Sequence, residues 1–237
     1  MLSSFFKIGA LFAVITLSGC ASPPRTPAAD TSIKSVGVVS LLNESTTVQK
    51  IGLTVFNNES RTIPMGGELN RIVVSNLESR LRQTRPSWTI VQMDADIAPL
   101  RAKVNFGRNA SEDQLAVFKS EVLTLARTKG IDAVFMVGES SNENVRGRGV
   151  GVVLHAPAIL PARAQPHAVV SVVLIDKDGK LLGGAGGSES INKGAGEFGL
   201  TGSIESLDSP VAQDRIKVAY RELLVKSLND AVGRMGY

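Results

Sequence analysis

The stretch LARTKGIDAVFMVG, residues 125–138, decides the fold because it joins the end of a helix to a buried strand. Apolar residues up to its first position recur at the three- and four-residue spacing of one helix face: Leu115, Phe118, Val122 and Leu125. Lys129 and Gly130 then supply the basic last turn and the glycine cap that end a helix. The following run, IDAVFMVG, is apolar at almost every position, which indicates a strand covered on both faces of its sheet.

Upstream, the sequence predicts two strands and a first helix. The runs KSVGVVSLL (34–42) and QKIGLTVF (49–56) both have strand character. We expect them to pair as a hairpin, because residues 43–47 form a connection of Asn, Ser and Thr that suits a turn. Apolar side chains then recur at helical spacing over 67–83.

The run WTIVQM (88–93) predicts a short strand between the two helices, and residues 94–107 are expected to form a loop. A helix separates this strand from the strand at 131–138. We therefore expect the two strands to form a parallel pair with a right-handed crossover connection.

Downstream, short apolar runs alternate with glycine-rich and proline-rich segments. Residues 150–154 are expected to form a strand, and 156–166 a loop or insertion containing three prolines. Residues 167–182 predict a hairpin whose turn contains Asp178-Gly179. The glycine-rich segment 183–202 is expected to be mobile, and 210–235 to form the last helix.

This order of elements predicts an α/β (α+β) domain with a single mixed β-sheet covered by about three helices. The chain has 237 residues, of which 43% are hydrophobic, and this is enough for one good core. We assign residues 35–237 to this domain.

The first twenty residues have the pattern of an export signal. Lys7 and the amino terminus are positive, and residues 8–17 are mostly apolar. A membrane-spanning helix needs about twenty apolar residues, so this run is too short to span a bilayer. Small residues follow, in the word Leu17-Ser18-Gly19-Cys20.

The word Leu17-Ser18-Gly19-Cys20 resembles the lipobox of bacterial lipoproteins. The resemblance implies cleavage after residue 19 of the signal peptide (1–19) and attachment of diacylglycerol and a fatty acid such as palmitate to Cys20. Ala21, in place of Asp, implies placement in the outer membrane, facing the periplasm. The alternative is that Cys20 is an incidental small residue near an ordinary signal-peptidase site.

Residues 20–34 are expected to form the lipidated cysteine and a tether. Pro23, Pro24 and Pro27 favour extended polyproline-like chain, which rises about 3.1 Å per residue. The tether would then hold the folded domain up to about 40 Å from the membrane.

The domain also resembles periplasmic lipoproteins of the curli-secretion and penicillin-binding-protein-activator kind, and the amino-terminal domain of the Tol translocation protein. The resemblance rests on the strand KSVGVVSLL, the unit LARTKGIDAVFMVG and the hairpin VVLIDKDGKLL (172–182) before a final helix. It is a pattern of hydrophobic residues and glycines over about residues 35–235, so it supports the fold more than a function.

Composition argues against several classes of function. The net charge is only +4 and the basic residues are scattered, which is not the concentrated basic stripe of a nucleic-acid-binding protein. The single cysteine, Cys20, rules out an internal disulfide or a four-thiolate metal site. We expect no cofactor and no metal.

Residues for catalysis are sparse. His155 and His167 flank the proline-rich segment, and no Gly-x-Ser-x-Gly elbow accompanies them. Among the paired acids, Asp94 and Asp96 follow a strand at an end where ligands often bind in α/β sheets. Asp176 is most simply part of a turn.

The glycine words 147–151 and 183–187 lie among strands, which favours flexible loops or bulges over phosphate-binding loops. Three arginines near the first word and the proline-rich segment form a speculative patch for an anionic partner: Arg146, Arg148 and Arg163. A solvated loop is the simpler interpretation of the same residues.

These observations favour a lipid-anchored, non-enzymatic binding or accessory factor that contacts the membrane through acylated Cys20 and an unidentified envelope protein or polymer. One alternative is a self-assembling secretion or structural lipoprotein of the curli-secretion kind, and hence a homo-oligomer. A third hypothesis is an envelope hydrolase that uses Asp94, Asp96 or His167.

Overall fold

The computed structural model describes residues 32–52, 57–93, 96, 98–100, 112–142, 145–157 and 159–237. Three long helices lie in these ranges: α1 (Glu68–Thr84), α2 (Glu112–Thr128) and α3 (Pro210–Arg234). The strands of the first half of the chain are β1 (Ser35–Ser40), β2 (Ser45–Ile51), β3 (Glu59–Pro64) and β4 (Thr89–Gln92). Those of the second half are β5 (Ala133–Glu139), β6 (Ser141–Asn142), β7 (Val145–His155), β8 (Arg163–Asp176), β9 (Leu181–Ser190) and β10 (Lys193–Gly194).

The strands form one mixed sheet, which confirms the predicted fold class. The 14-residue strand β8 is its longest member. One edge of β8 pairs with β9, and the other pairs with β7 along its first half and with β5 along its second half. All three pairings are antiparallel.

Strands β5 and β7 lie end to end along β8 and run in the same direction. Glu139, the last residue of β5, pairs with Val170, and Gly149 of β7 pairs with the neighbouring Val169. The chain therefore leaves the ladder after Glu139 and rejoins it at Gly149. We call the nine intervening residues, 140–148, the excursion. Its first residue is joined to the residue that follows it, because the Gly149 N–H donates to the Ser140 carbonyl at 2.9 Å.

Strands β1 and β2 also lie end to end. β1 is parallel to β5, and β2 is parallel to β7, so both run in one direction. The expected hairpin between them is therefore wrong. The partner of β2 in a hairpin is β3, which the sequence analysis did not predict.

The predicted strand at 88–93 is observed as β4, and it is parallel to β1 rather than adjacent to β5. β1 lies between β4 and β5 and pairs with both in parallel. The prediction that β4 and β5 run in the same direction is therefore confirmed, but the prediction that they pair directly is wrong.

Two apolar layers cover the sheet. On one face, α1 and α3 pack over side chains from all the long strands, including Val38, Val48, Val152 and Leu174. On the other face, α2 packs over Val39, Val134 and neighbouring residues of β1, β4 and β5. On this second face, α2 therefore covers the half of the sheet that contains β4, β1 and β5.

The segment 183–202, expected to be mobile, is instead mostly regular structure. Residues 181–190 form β9, and 3-10 helices follow at Ala195–Phe198 and Ile204–Asp208. The glycines of β9 have a packing reason, because a Cβ on Gly187 would overlap the Ser227 carbonyl of α3. Glycine here lets a helix backbone approach the sheet closely.

Three other predicted boundaries change. The expected loop 156–166 is shorter, because β8 begins at Arg163 and pairs with β7 and β10 there. β7 extends back to Val145, well before the predicted strand at 150–154. In the expected loop 94–107, the described residues Asp96 and 98–100 are helical.

Within the described part of the chain, no helix combines the length and the apolar character needed to cross a membrane.

Candidate functional site

Two interruptions lie side by side in the sheet: one between β1 and β2, and one between β5 and the part of β7 that pairs with β8. We call them the β1–β2 break and the β5–β7 break. A cavity of about 350 Å³ lies beside them. The β1–β2 break contributes Asn43, and the β5–β7 break contributes Glu139, Gly147 and Arg148. Side chains from β2, β3, β7 and β8 complete the described lining, among them Gln49, Ser60, Val153 and His167. Most of these side chains offer hydrogen-bond donors or acceptors, so the cavity is polar.

Asn43 and Glu139 join the two breaks. The backbone N–H of Asn43 donates to Glu139 Oε1 at 3.2 Å, and its Nδ2 donates to the same oxygen at 2.9 Å. These contacts hold the Glu139 carboxyl at the cavity wall. Burial raises the pKa of Glu139, while the Asn43 hydrogen bonds and the Arg148 charge oppose the rise.

Asn70 of α1 secures the β1–β2 break from the opposite face of the sheet. It is 1% exposed, accepts from the Leu42 N–H at Oδ1 and donates from Nδ2 to the Leu42 carbonyl, both at 3.1 Å. The break leaves both backbone groups of Leu42 without a strand partner at that position. The amide of Asn70 supplies one acceptor and one donor in their place.

His167 forms the β8 wall of the cavity and is 3% exposed. Its Nδ1 lies 3.4 Å from the Gln165 carbonyl oxygen, and the ring also interacts with the backbone of Arg148. Burial lowers the pKa of His167, and the two backbone contacts only partly offset this effect. Burial therefore favours the neutral form of the His167 imidazole near pH 7.

Glycines of the word 147–151 make room for these two buried groups. A Cβ on Gly147 would overlap the His167 ring, and one on Gly151 would lie 3.1 Å from it. A Cβ on Gly149 would lie 2.5 Å from the Glu139 carboxyl carbon, and its φ of 63° also favours glycine. Residues 147–151 therefore belong to strand β7 and not to a flexible loop, and their glycines allow His167 and Glu139 to pack closely against the strand.

The three predicted arginines do not form one patch. Arg148 lines the cavity, whereas Arg163 pairs with His155 at the far end of β7 and donates to the side chain and carbonyl of Asn192. His155 is seven residues beyond Arg148 along β7, so the two arginines are about 23 Å apart. Arg146 lies in β7, but its side chain is outside the described residues.

The predicted acidic and histidine candidates are also dispersed. Asp96 forms an ion pair with Lys129 at 2.9 Å, and Asp94 lies outside the described residues. His155, at the far end of β7, has no place in the cavity lining, so only His167 of the two histidines reaches it. Asp176 accepts from the N–H groups of residues 178 and 180, which confirms its turn role.

Among the described residues, no group of three or more His, Cys, Asp and Glu side chains is arranged to hold a metal ion. Cys20 and residues 21–31 of the expected tether lie outside the described residues. At the start of β1, Asp132 Oδ2 accepts from the N–H groups of Lys34 and Ser35, both at 2.9 Å. These bonds lower the pKa of Asp132 and fix the start of β1.

The sequence analysis missed Asn43, Asn70 and Glu139 as site residues. Asn70 gave a usable signal, since it is a polar residue between Leu69 and Val73 on the apolar side of a helix. Asn43 and Glu139 are 96 residues apart, and no sequence pattern indicated that they would be in contact.

No protein-family model and no curated protein sequence matches the chain. Among solved structures, the chain is similar to the C-terminal domain of LpoB from Salmonella enterica, with 12% identity and a TM-score of 0.30 over 68% of this chain and 87% of that one. It is also similar to the lipoprotein GNA1162 from Neisseria meningitidis, with 16% identity and a TM-score of 0.31 over 78% of this chain and 98% of that one. TM-scores this low support no inference about ligands or partners.

Proposed function

We propose that the protein is a lipid-anchored, non-enzymatic accessory factor of the bacterial envelope, which binds an envelope component through the cavity at the two strand breaks. The observation that carries the binding role is the cavity itself, a polar recess whose wall is fixed by the Asn43–Glu139 contact. Fixed polar groups in a recess can orient a ligand and give the site its specificity.

The lipid anchor is supported by Leu17-Ser18-Gly19-Cys20 and the apolar run before it. One acyl chain gives only marginal membrane binding, and additional chains make the attachment durable. The tether would keep the domain near the membrane and raise its local concentration there.

The entry point of the tether leaves the cavity accessible. The tether meets the domain at Ser35, where Asp132 fixes the start of β1. The break that contributes Asn43 follows the other end of β1, six residues further, or about 20 Å at 3.3 Å per residue. An extended tether at Ser35 therefore does not have to pass over the cavity.

A non-enzymatic role is supported by the chemistry of the cavity. His167 and Glu139 are the described acid–base groups in its lining, and within the described part of the chain no serine or cysteine side chain is hydrogen-bonded to His167. Its ring nitrogens instead contact backbone groups. A histidine held in this way shapes the wall rather than activating a nucleophile.

The test is metabolic labelling of cells with an alkyne fatty acid, followed by chemical crosslinking and mass spectrometry of the purified protein. Wild-type protein should carry the label and co-purify with one dominant envelope component, and Cys20→Ala should lose both. An unlabelled wild-type protein would contradict the anchor. A ladder of self-crosslinks alone would favour the assembly alternative over an accessory role.

A further inference from the structure

We infer that the cavity at the two strand breaks binds a small ligand with one carboxylate and an amide-rich body, the chemistry of a peptide's carboxyl-terminal end. Arg148 would bind the carboxylate at the rim, and the neutral polar wall would bind the amides. The inference rests on the binding role that the proposed function gives to this cavity, but it concerns the domain alone and does not depend on the lipid anchor.

The rim carries an available cation. Arg148 is exposed and lines the cavity, and its guanidinium makes no ion pair or side-chain hydrogen bond with another described residue, although its charge acts on the nearby Glu139 carboxyl. This contrasts with Arg163, whose guanidinium is engaged by Asn192. A guanidinium whose N–H groups are not used by other described residues is suited to two parallel hydrogen bonds with a carboxylate.

The wall below Arg148 is polar but does not favour a second full charge. Glu139 Oε1 already accepts both Asn43 donors, and burial favours the neutral form of His167. A cationic ligand would meet the Arg148 charge at the entrance. A doubly charged anion such as phosphate would meet the Glu139 carboxyl, so a single carboxylate fits the charges better.

Neutral hydrogen-bonding side chains surround the remaining space. Thr47 and Gln49 of β2 and Ser60 of β3 lie on the cavity wall. Their hydroxyl and amide groups match the N–H and C=O groups of peptide bonds. The volume of about 350 Å³ suits a ligand of dipeptide size and lies near the lower end of ligand-site volumes.

The cavity is also built into the fold. Bulky buried groups, His167 and Glu139, lie against the glycines of 147–151, where any side chain would collide with them. The wall therefore has one arrangement rather than several, which reduces the ordering cost of binding.

The probes are N-acetyl-alanyl-alanine, with a free carboxylate, and the same compound with a terminal amide. Full-length protein in detergent micelles, labelled with ¹⁵N-glycine, is titrated with each probe and followed by NMR. The amides of Gly147, Gly149 and Gly151 report on the cavity, and Gly183 and Gly186 of β9 serve as remote references.

The acid should shift the three cavity glycines at millimolar concentration, with the β9 glycines unchanged. Replacing the carboxylate by the amide, or Arg148 by Gln, should weaken binding about 10- to 100-fold, the usual size of a charge-assisted hydrogen bond. Arg163→Gln is the matched control and should leave the affinity unchanged.

Absence of cavity-glycine shifts at about 50 mM acid would overturn the inference, because a site with a Kd of about 1 mM would be almost saturated at that concentration. Equal affinity for the amide, or an Arg148→Gln variant that binds as wild type, would overturn the role of Arg148. Neither result bears on acylation of Cys20, so this test and that of the proposed function fail independently.

Discussion

Asn43 donates two hydrogen bonds to one oxygen of Glu139, at 3.2 Å from its backbone N–H and 2.9 Å from its side chain. Asn43 lies between β1 and β2, and Glu139 is the last residue of β5 before the excursion. One pair of residues therefore ties together two interruptions of adjacent strands. The cavity exists because both strands break at the same level of the sheet.

The first prediction concerns the buried amide that secures the same region from the helix side. Asn70→Ala should lower the free energy of unfolding by about 2–4 kcal/mol, because it leaves both backbone groups of Leu42 unpaired and buried. Chemical denaturation measures the change. Asn76→Ala on the same helix is the control. It should lower the free energy of unfolding by a smaller amount, since Asn76 Oδ1 accepts no hydrogen bond within the described part of the chain. Equal decreases in the two variants would contradict the role of Asn70.

The second prediction tests why β9 is rich in glycine. Gly187→Ala should destabilise the protein by about 1–3 kcal/mol, because the added methyl group overlaps the Ser227 carbonyl of α3. Gly186→Ala is the control, since a Cβ there lies 3.7 Å from the Val170 carbonyl, an ordinary contact. If both variants melt at the same temperature, the close approach of α3 to β9 is wrong.

The third prediction tests the packing of the cavity wall. Gly147→Ala should destabilise the protein because its methyl group overlaps the His167 ring, and His167→Ala should destabilise it by leaving a hole. In the double variant the new methyl group occupies part of that hole. We expect a favourable coupling energy of about 0.5–3 kcal/mol in a double-mutant cycle. Strict additivity would show that the two side chains do not meet.

The fourth prediction concerns pH. The pKa of His167 is lowered by burial, so the unfolded chain binds a proton at higher pH than the folded one. Stability from this group is complete above its ordinary pKa of 6.5 and is lost as the pH falls through the folded pKa. His167→Gln should therefore lose less stability than wild type between about pH 7.5 and about pH 5.5 in urea denaturation.

Glu139→Gln is the matched variant with the opposite sign. Burial raises the pKa of Glu139, so its ionisation destabilises the folded state as the pH rises through the folded pKa. The variant retains an oxygen that can accept from Asn43, and its stability should decrease less than wild type as the pH is raised from 4.5. If neither variant changes the pH profile, the two side chains are not buried in the cavity wall.

Local patterns predicted much of the fold. The helix stripes gave α1, α2 and α3, and the buried run after Gly130 gave β5. The turn around Asp178-Gly179 gave the β8–β9 hairpin, because the turn residues and both strands are adjacent in sequence.

Features that depend on distant contacts were not predictable in the same way. Residues 34–42 and the following strand have apolar patterns that suit a hairpin, yet they do not pair with each other, and two of their partners, β5 and β7, are about a hundred residues away. The glycines of β9 suggest mobility until α3 is placed against them. The cavity depends on the Asn43–Glu139 contact, which no local pattern encodes.

The most direct test of the account is site-specific photo-crosslinking in living cells from two positions. One crosslinker replaces Gln49 in the cavity wall, and the other replaces Val218, a 49%-exposed residue of α3. We predict a discrete crosslinked envelope species from position 49 that is absent from position 218 and is lost with Cys20→Ala. The same species from both positions, or from position 218 alone, would contradict the assignment of the cavity as the binding site.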